Sequence, residues 1–206
     1  MGLADDTPDV ARTVTAQVEP GVTPGTWTVT FHSQAVPGTL TAFAGTLAVA
    51  RLDIISATVR VSEEGTVSDT FDVVPLKGAA LGPGDGDRLA VLAAAVLNGE
   101  SDLTADLREL RSLFPSRDVV APLVETHTDS SITTGIKVIA ADRPGLLHDI
   151  AATLSAHGLR TRSLVAVTFT GRAYDTFRVV DSAGETPTDA VLLETLREEL
   201  ELASEG

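Results

Sequence analysis

The chain repeats itself once, and that repeat constrains its fold more than any other feature. Laying Pro37-Gly38 over Pro144-Gly145 brings Leu40 onto Leu147, Ala44 onto Ala151, Leu52 onto Leu159 and Ser56 onto Ser163 in a single register. After a one-residue deletion in the second copy, Gly65 meets Gly171 and Asp69-Thr70-Phe71 meets Asp175-Thr176-Phe177. A period of roughly a hundred residues marks a duplicated domain and not the shorter unit of a solenoid. At 206 residues the chain can hold two small domains, each with a core of its own.

Each copy has the same pattern of elements. Leu40, Phe43, Ala44 and Leu47 fall at helical spacing, as do Leu147, Ile150, Ala151 and Leu154, so a helix should start at each Pro-Gly and bury that stripe. Proline suits a first helical turn because its missing N–H would have no partner there. β-rich runs flank the helices: "TWTVTFHS" and "TTGIKVIA" before, "LDIISATVRV" and "LRTRSLVAVTF" after, then "TVSDTFDVV" and "RAYDTFRVV". A second helix follows, carrying Leu89, Leu92, Ala93 and Val96 in one copy and Leu193, Leu196 and Leu200 in the other. The order β-α-β-β-α points to an α+β protein of two ferredoxin-like domains, with antiparallel sheets and helices on one face.

Such a domain normally ends with a fourth strand beside the first, yet the second copy stops after its helix at "ELASEG". "TVTAQVE" (13–19) and "VAPLVET" (120–126) each lie upstream of a first strand across a turn-rich segment. A leading strand is therefore expected to fill the vacant slot by a hairpin, which makes each unit permuted. The rival arrangement exchanges these strands between the copies. Expected boundaries are 10–99 for the first unit, 100–117 for a linker helix with Ser101 as its N-cap and Leu103, Leu107 and Leu110 on one face, and 118–203 for the second unit.

Composition narrows the function. A formal charge of −14 and a pI near 4.5 disfavour nucleic acid and anionic lipid as partners. The absence of cysteine removes disulfides, thiolate metal sites and cysteine nucleophiles. "MGLADDTPDVART" shows no secretory signal, and the apolar run 40–59 is interrupted by Arg51 and Asp53 and changes period midway, so it is a helix and a strand and not a membrane span. A cytoplasmic protein is expected.

The second helix entrance, "ADRPGLLHDI", carries an acid and a base that the first, "QAVPGTLTAF", lacks. Its D-R-P-G-L-L spacing, together with "YDTFRVVD", resembles the ACT domain, and the resemblance extends over both copies. Two such units joined by a helical segment, the second opening "KVIAADRPGLLHDIAATLSAHGL", are similar to the sensory ACT pair of bacterial uridylyltransferase/uridylyl-removing enzymes of nitrogen signalling. The resemblance implies a regulatory module that binds an amino acid at a domain or subunit interface, glutamine being favoured by the nitrogen connection. It also implies side-by-side sheet pairing, within the chain or in a homodimer. With no room before the pair for catalytic domains, a free-standing sensor that signals to a separate regulated protein is expected.

A helix N-terminus offers unpaired N–H groups and a positive dipole end to a carboxylate. The candidate ligand-binding residues are Asp142, Arg143, Pro144, Gly145, Leu146, Leu147 and His148, with Ser163 on the following strand. Gly145 would let a ligand approach the backbone, while Asp142 has a competing role as a local cap. Val36, Pro37, Gly38, Thr39 and Leu40 form a degenerate counterpart, with Ala35-Val36 in place of Asp142-Arg143, expected to contribute mainly packing.

No catalytic residue, cofactor or metal set is nominated. His32, His127, His148 and His157 have no metal spacing, Asp69 and Asp175 read as near-surface strand acids, "GPGDGD" reads as a turn and helix start, and "LREELELASEG" as a solvated helix face. The alternatives to an effector sensor are a ligandless scaffold and, with less support, an enzyme.

Overall fold

A computed structural model describes residues 11–116, 120–129 and 133–205. The unit edges expected at 10, 117 and 118 and most of the N-terminal segment read for a signal lie outside the described residues. In the first copy β1 (Thr15–Pro20), β2 (Trp27–Gln34), α1 (Thr39–Val49), β3 (Leu52–Val61), β4 (Thr66–Pro75) and α2 (Gly86–Leu97) follow one another. A linker helix α3 (Thr104–Leu113) leads to β5 (Leu123–Asp129), β6 (Thr133–Ala141), α4 (Leu146–Ala156), β7 (Arg160–Phe169), β8 (Arg172–Val180) and α5 (Ala190–Ser204).

All eight strands join one antiparallel sheet in the order β1-β2-β4-β3-β7-β8-β6-β5. The leading strands behave as the hairpin argument requires: β1 pairs with β2 and β5 with β6, each closing its own copy. Exchange between copies does not occur. The two ferredoxin-like sheets are fused through β3 and β7, so side-by-side pairing is made within one chain.

This seam is symmetric. The register that lays Pro37 on Pro144 also lays Ser56 on Ser163, and the seam pairs Ser56 with Val167 and Arg60 with Ser163, centred on Thr58 and Val165. Each copy thus offers the same strand to the other, as in the self-complementary interface of a two-fold dimer. The register shifts between β3 and β4 near Ile55 and between β7 and β8 near Arg162 occupy matching positions as well.

The core is continuous across the seam. Val29, Phe31, Phe43 and Phe71 of the first copy belong to the same buried cluster as Ile136, Ile150, Phe177 and Leu196 of the second. Phe31 stacks on Phe43 at 4.5 Å between ring centres and meets Phe71 edge-on at 6.1 Å. Both apolar stripes expected on α1 and α4 are buried.

Several helix starts differ in detail from expectation. Pro37 and Pro144 precede the helices instead of opening them, and Gly38 and Gly145 are the N-caps, at φ 81° and 82°. Only a residue without a Cβ takes that left-handed turn at no steric cost. The linker helix begins at Thr104, beyond Ser101; the Asp102 carboxylate accepts from both the amide and the hydroxyl of Thr104. Leu103, Leu107 and Leu110 bury against Ala48 of α1, as the single apolar face requires. Pro83–Asp85 forms a short 3-10 turn leading into α2, as the "GPGDGD" pattern suggests. Among the described residues no helix is long and apolar enough to cross a membrane.

Candidate functional site

A cleft of about 410 Å³, counting its open mouth, lies where the α4 entrance of the second copy meets the start of β3 of the first. Asp142, Arg143, Gly145, Leu146 and Leu147 form one side, Asp53 to Ser56 the facing strand, and Thr168 and Asp175 the floor and end. Of the other nominated residues, Pro144 is not in the lining. Ser163 sits at the seam opposite Arg60, away from the cleft, and His148 turns towards Gly45 and Leu103 on the linker side.

No side chain caps α4. Asp142 does not take up the capping role open to it; its carboxylate instead meets the Thr168 hydroxyl and the Arg143 backbone. Burial outweighs those bonds and raises its pKa above the usual aspartate value. The Leu146 amide donates to the Arg143 carbonyl, and with no side-chain cap the turn beyond it keeps the positive dipole end and the N–H groups of Leu147 and His148.

Arg143 is committed within the protein. Its guanidinium lies 2.8 Å from the Asp149 carboxylate and donates to the Ala203 carbonyl at 2.8 Å, near the C-terminus of α5. Asp149 also receives Arg111 of the linker helix, and His148 Nδ1 lies 3.1 Å away. Burial alone would raise the Asp149 pKa, but His148, Arg143 and Arg111 together hold it below the usual value. The acid and base that distinguish the second entrance thus part company: Asp142 faces the cleft, while Arg143 ties α4, α5 and the linker together.

As acids on amphipathic strands, Asp69 and Asp175 are expected near the surface, and the structure corrects this: they are 1% and 4% exposed. Burial and the nearby Asp142 push Asp175 up to about 7. Asp53, on the facing strand, is pushed up to about 6 by the same two causes. Three carboxyl groups that resist ionisation therefore share the cleft with a helix N-terminus, Asp142 beside it and Asp53 on the facing strand. The signal lies in the strand period: a residue two before a core phenylalanine shares its face, so Asp175 has to follow Phe177 inward, as Asp69 follows Phe71.

The same register builds a second cleft, about 490 Å³ counting its open mouth, where the α1 entrance faces the start of β7. Val36 to Leu40, nominated as the degenerate counterpart, all line it, with Asp69 in the place Asp175 takes in the other cleft. Burial pushes Asp69 up to about 8. Among the described residues no cluster of three or more His, Cys, Asp or Glu is placed to hold a metal ion.

No known family profile matches the chain. It is 35% identical over 170 residues to the bifunctional uridylyltransferase/uridylyl-removing enzyme of Gluconobacter oxydans, covering 80% of this chain and 18% of that protein. The enzymes of the same name from Rhodospirillum rubrum and Azospirillum brasilense are 30% and 32% identical over 95% and 84% of this chain, and 21% and 19% of their own lengths. The chain spans about a fifth of the curated relatives it matches. Among solved structures, an aspartate kinase from Synechocystis aligns with 76% of this chain and 24% of its own at 18% identity and a TM-score of 0.41, too loose a likeness to argue from. Over most of its length the chain is related in sequence to one part, about a fifth, of the bifunctional uridylyltransferase/uridylyl-removing enzymes.

Proposed function

We propose that this chain is a regulatory protein that binds an amino acid in the cleft at the α4 entrance and passes the event to a separate partner. The observation that carries the reading is the cleft's polarity. An uncapped helix N-terminus suits an α-carboxylate, and the cleft's acids, Asp53 on the facing strand with Asp142 and Asp175, suit an ammonium. Because one wall belongs to each copy, a ligand held there bears on the seam. It can shift the arrangement of the copies only by its differential affinity for two states, typically about 1–3 kcal/mol. Glutamine is the first ligand to try, given the relatives' role in uridylylation.

The test is the thermal midpoint of the purified protein with each of the twenty amino acids at millimolar concentration, repeated with Asp175→Asn. A ligand at ~100 times its dissociation constant adds about 2.7 kcal/mol of stability, enough to raise the midpoint visibly. A selective rise that Asp175→Asn abolishes supports the sensor. A flat panel on folded protein favours a ligandless scaffold.

A further inference from the structure

The helices cover one face of the sheet, and the strand residues that alternate with the core point to the other. On that open face the two copies differ. Val165, Val167 and Phe169 follow one another along β7, with Tyr174 beside Val167 on β8, each between 37% and 66% exposed. In the register that lays Ser56 on Ser163, the first copy has Thr58, Arg60, Ser62 and Ser68 at these places. Its open face is polar and partly satisfied within itself: the Thr28 and Ser56 hydroxyls donate to Asp72, each at 2.7 Å, and Thr30 meets Thr70 at 3.3 Å. The first copy therefore serves as an internal control. The same sheet is built there with polar residues at those four positions, so the apolar strip of the second copy is not a requirement of the fold. A contiguous exposed apolar strip marks a surface that another molecule covers.

The rim of the strip is basic. One rung of the ladder sets Arg178 on β8, Ser163 on β7 and Arg60 on β3 in register, with His127 and His32 further out on β5 and β2 and no acid at any of its positions. At the other end of the strip Arg172 pairs with Phe169. Of the acids level with the strip, Asp72 accepts its two hydroxyls, Glu125 lies 3.3 Å from Lys137, and Glu19 is on the far edge strand. A basic rim on a chain of formal charge −14 selects for a partner that is acidic at the contact. A second copy stacked on this face would set one basic rim against another, and an anionic polymer without apolar groups would leave the strip uncovered.

The dimensions suit a helix lying across the strands. Val165 to Phe169 spans roughly 14 Å, close to the width of a helix with its side chains, about 10–12 Å. We propose that the open face of the second copy is the docking surface for an acidic amphipathic helix of a partner protein, whose aliphatic stripe lies on Val165, Val167, Phe169 and Tyr174 and whose carboxylates meet Arg60 and Arg172. The same strand lines the α4 cleft at Ala166 to Thr168, so a partner seated here lies beside any effector bound there. The surface exists with or without that effector, and the two readings can fail separately.

Fluorescence anisotropy of a labelled, end-capped Glu/Leu peptide of about five helical turns, titrated with the full chain at low salt, tests it. Because an acidic chain repels such a peptide elsewhere, its binding reports a basic surface. Wild type should bind it about 10-fold or more tightly than Phe169→Ser, which installs the first copy's residue, and than Arg60→Glu. Circular dichroism confirms that each variant is folded, and Tyr174→Ser takes the place of Phe169→Ser if that variant is not. No binding to wild type, binding that survives both substitutions, or equal binding of a peptide with Ser for Leu overturns the proposal. So does a single-stranded oligonucleotide that displaces the peptide, which would make the face a nucleic-acid platform. A wild-type dimer in sedimentation that Phe169→Ser dissociates also overturns it, since the occupant would then be a second copy.

Discussion

The Arg143 guanidinium lies 2.8 Å from the Asp149 carboxylate, on the helix whose entrance Arg143 precedes, and the pair is almost wholly buried. Arg111 reaches the same carboxylate from the linker helix, and Ser116 beyond that helix donates to the Asp142 carbonyl. The linker is thereby fastened to the α4 entrance as well as to α1.

Removing one partner of a buried ion pair leaves the other charge uncompensated, at a cost of about 3 kcal/mol or more. Asp149 keeps Arg111 and His148 when Arg143 is lost, so Arg143→Ala should destabilise by about 2–3 kcal/mol. Arg111 is 41% exposed, and Arg111→Ala should cost under about 1 kcal/mol. Urea unfolding of the two variants measures the difference; equal costs would refute the buried clamp.

The buried acids set a pH dependence. Asp69, Asp175 and Asp53 are pushed up to about 8, 7 and 6 in the folded state, above the ordinary aspartate value of 3.8. Between pH 4 and 8 these three groups therefore bind more protons in the native state than in the unfolded chain, and their contribution to stability falls as pH rises through that window. Asp69→Asn, which cannot ionise, should gain more than about 1 kcal/mol over wild type at pH 8.5 and little at pH 4.5, since a tenfold change in proton affinity on folding corresponds to about 1.4 kcal/mol. Paired urea titrations at the two pH values check this, and a gain of equal size at both would show that ionisation is not the cause.

Much of this was legible in the residues. The repeat and the missing fourth strand together showed that a leading strand had to close each sheet, but strand exchange between the copies would have met the same need, and only the pairing of β1 with β2 and β5 with β6 decides for the hairpins. The inward turn of Asp69 was legible too, since Phe71 two residues on fixes the face, but an acid's preference for water hid it. The fate of Arg143 was not legible. Its partners Asp149 and Ala203 lie on two helices whose spacing only the folded sheet determines. Nor was the choice of β3 and β7 as the seam, because edge strands carry no local mark of whether solvent or another copy will cover them.

Two glycines should respond differently to a methyl group. At Gly145 a Cβ would meet Leu107 at 3.6 Å, an ordinary contact, so Gly145→Ala should cost only the left-handed backbone, about 1–2 kcal/mol. At Gly86, where α2 begins against β1, a Cβ would lie 2.5 Å from the Ala16 carbonyl oxygen. That neighbour is backbone in the closing strand and cannot swing aside, so Gly86→Ala should cost more than Gly145→Ala, about 2 kcal/mol or more. Chemical denaturation orders the two, and the reverse order would show that β1 yields easily.

The continuous core and the paired seam should make the two copies one cooperative unit. The chain's one tryptophan, Trp27, lies in β2 of the first copy, whereas far-UV circular dichroism reports on all five helices of both. If the copies melt together, Trp27 fluorescence and circular dichroism should trace coincident urea curves. Thr58→Pro, which removes a ladder hydrogen-bond donor from a central strand at the middle of the seam, should lower both midpoints together. If the copies were independent, the proline would shift the Trp27 curve and leave a second, unshifted transition in the dichroism. That separation would mean that the seam holds two folded domains side by side without coupling their unfolding.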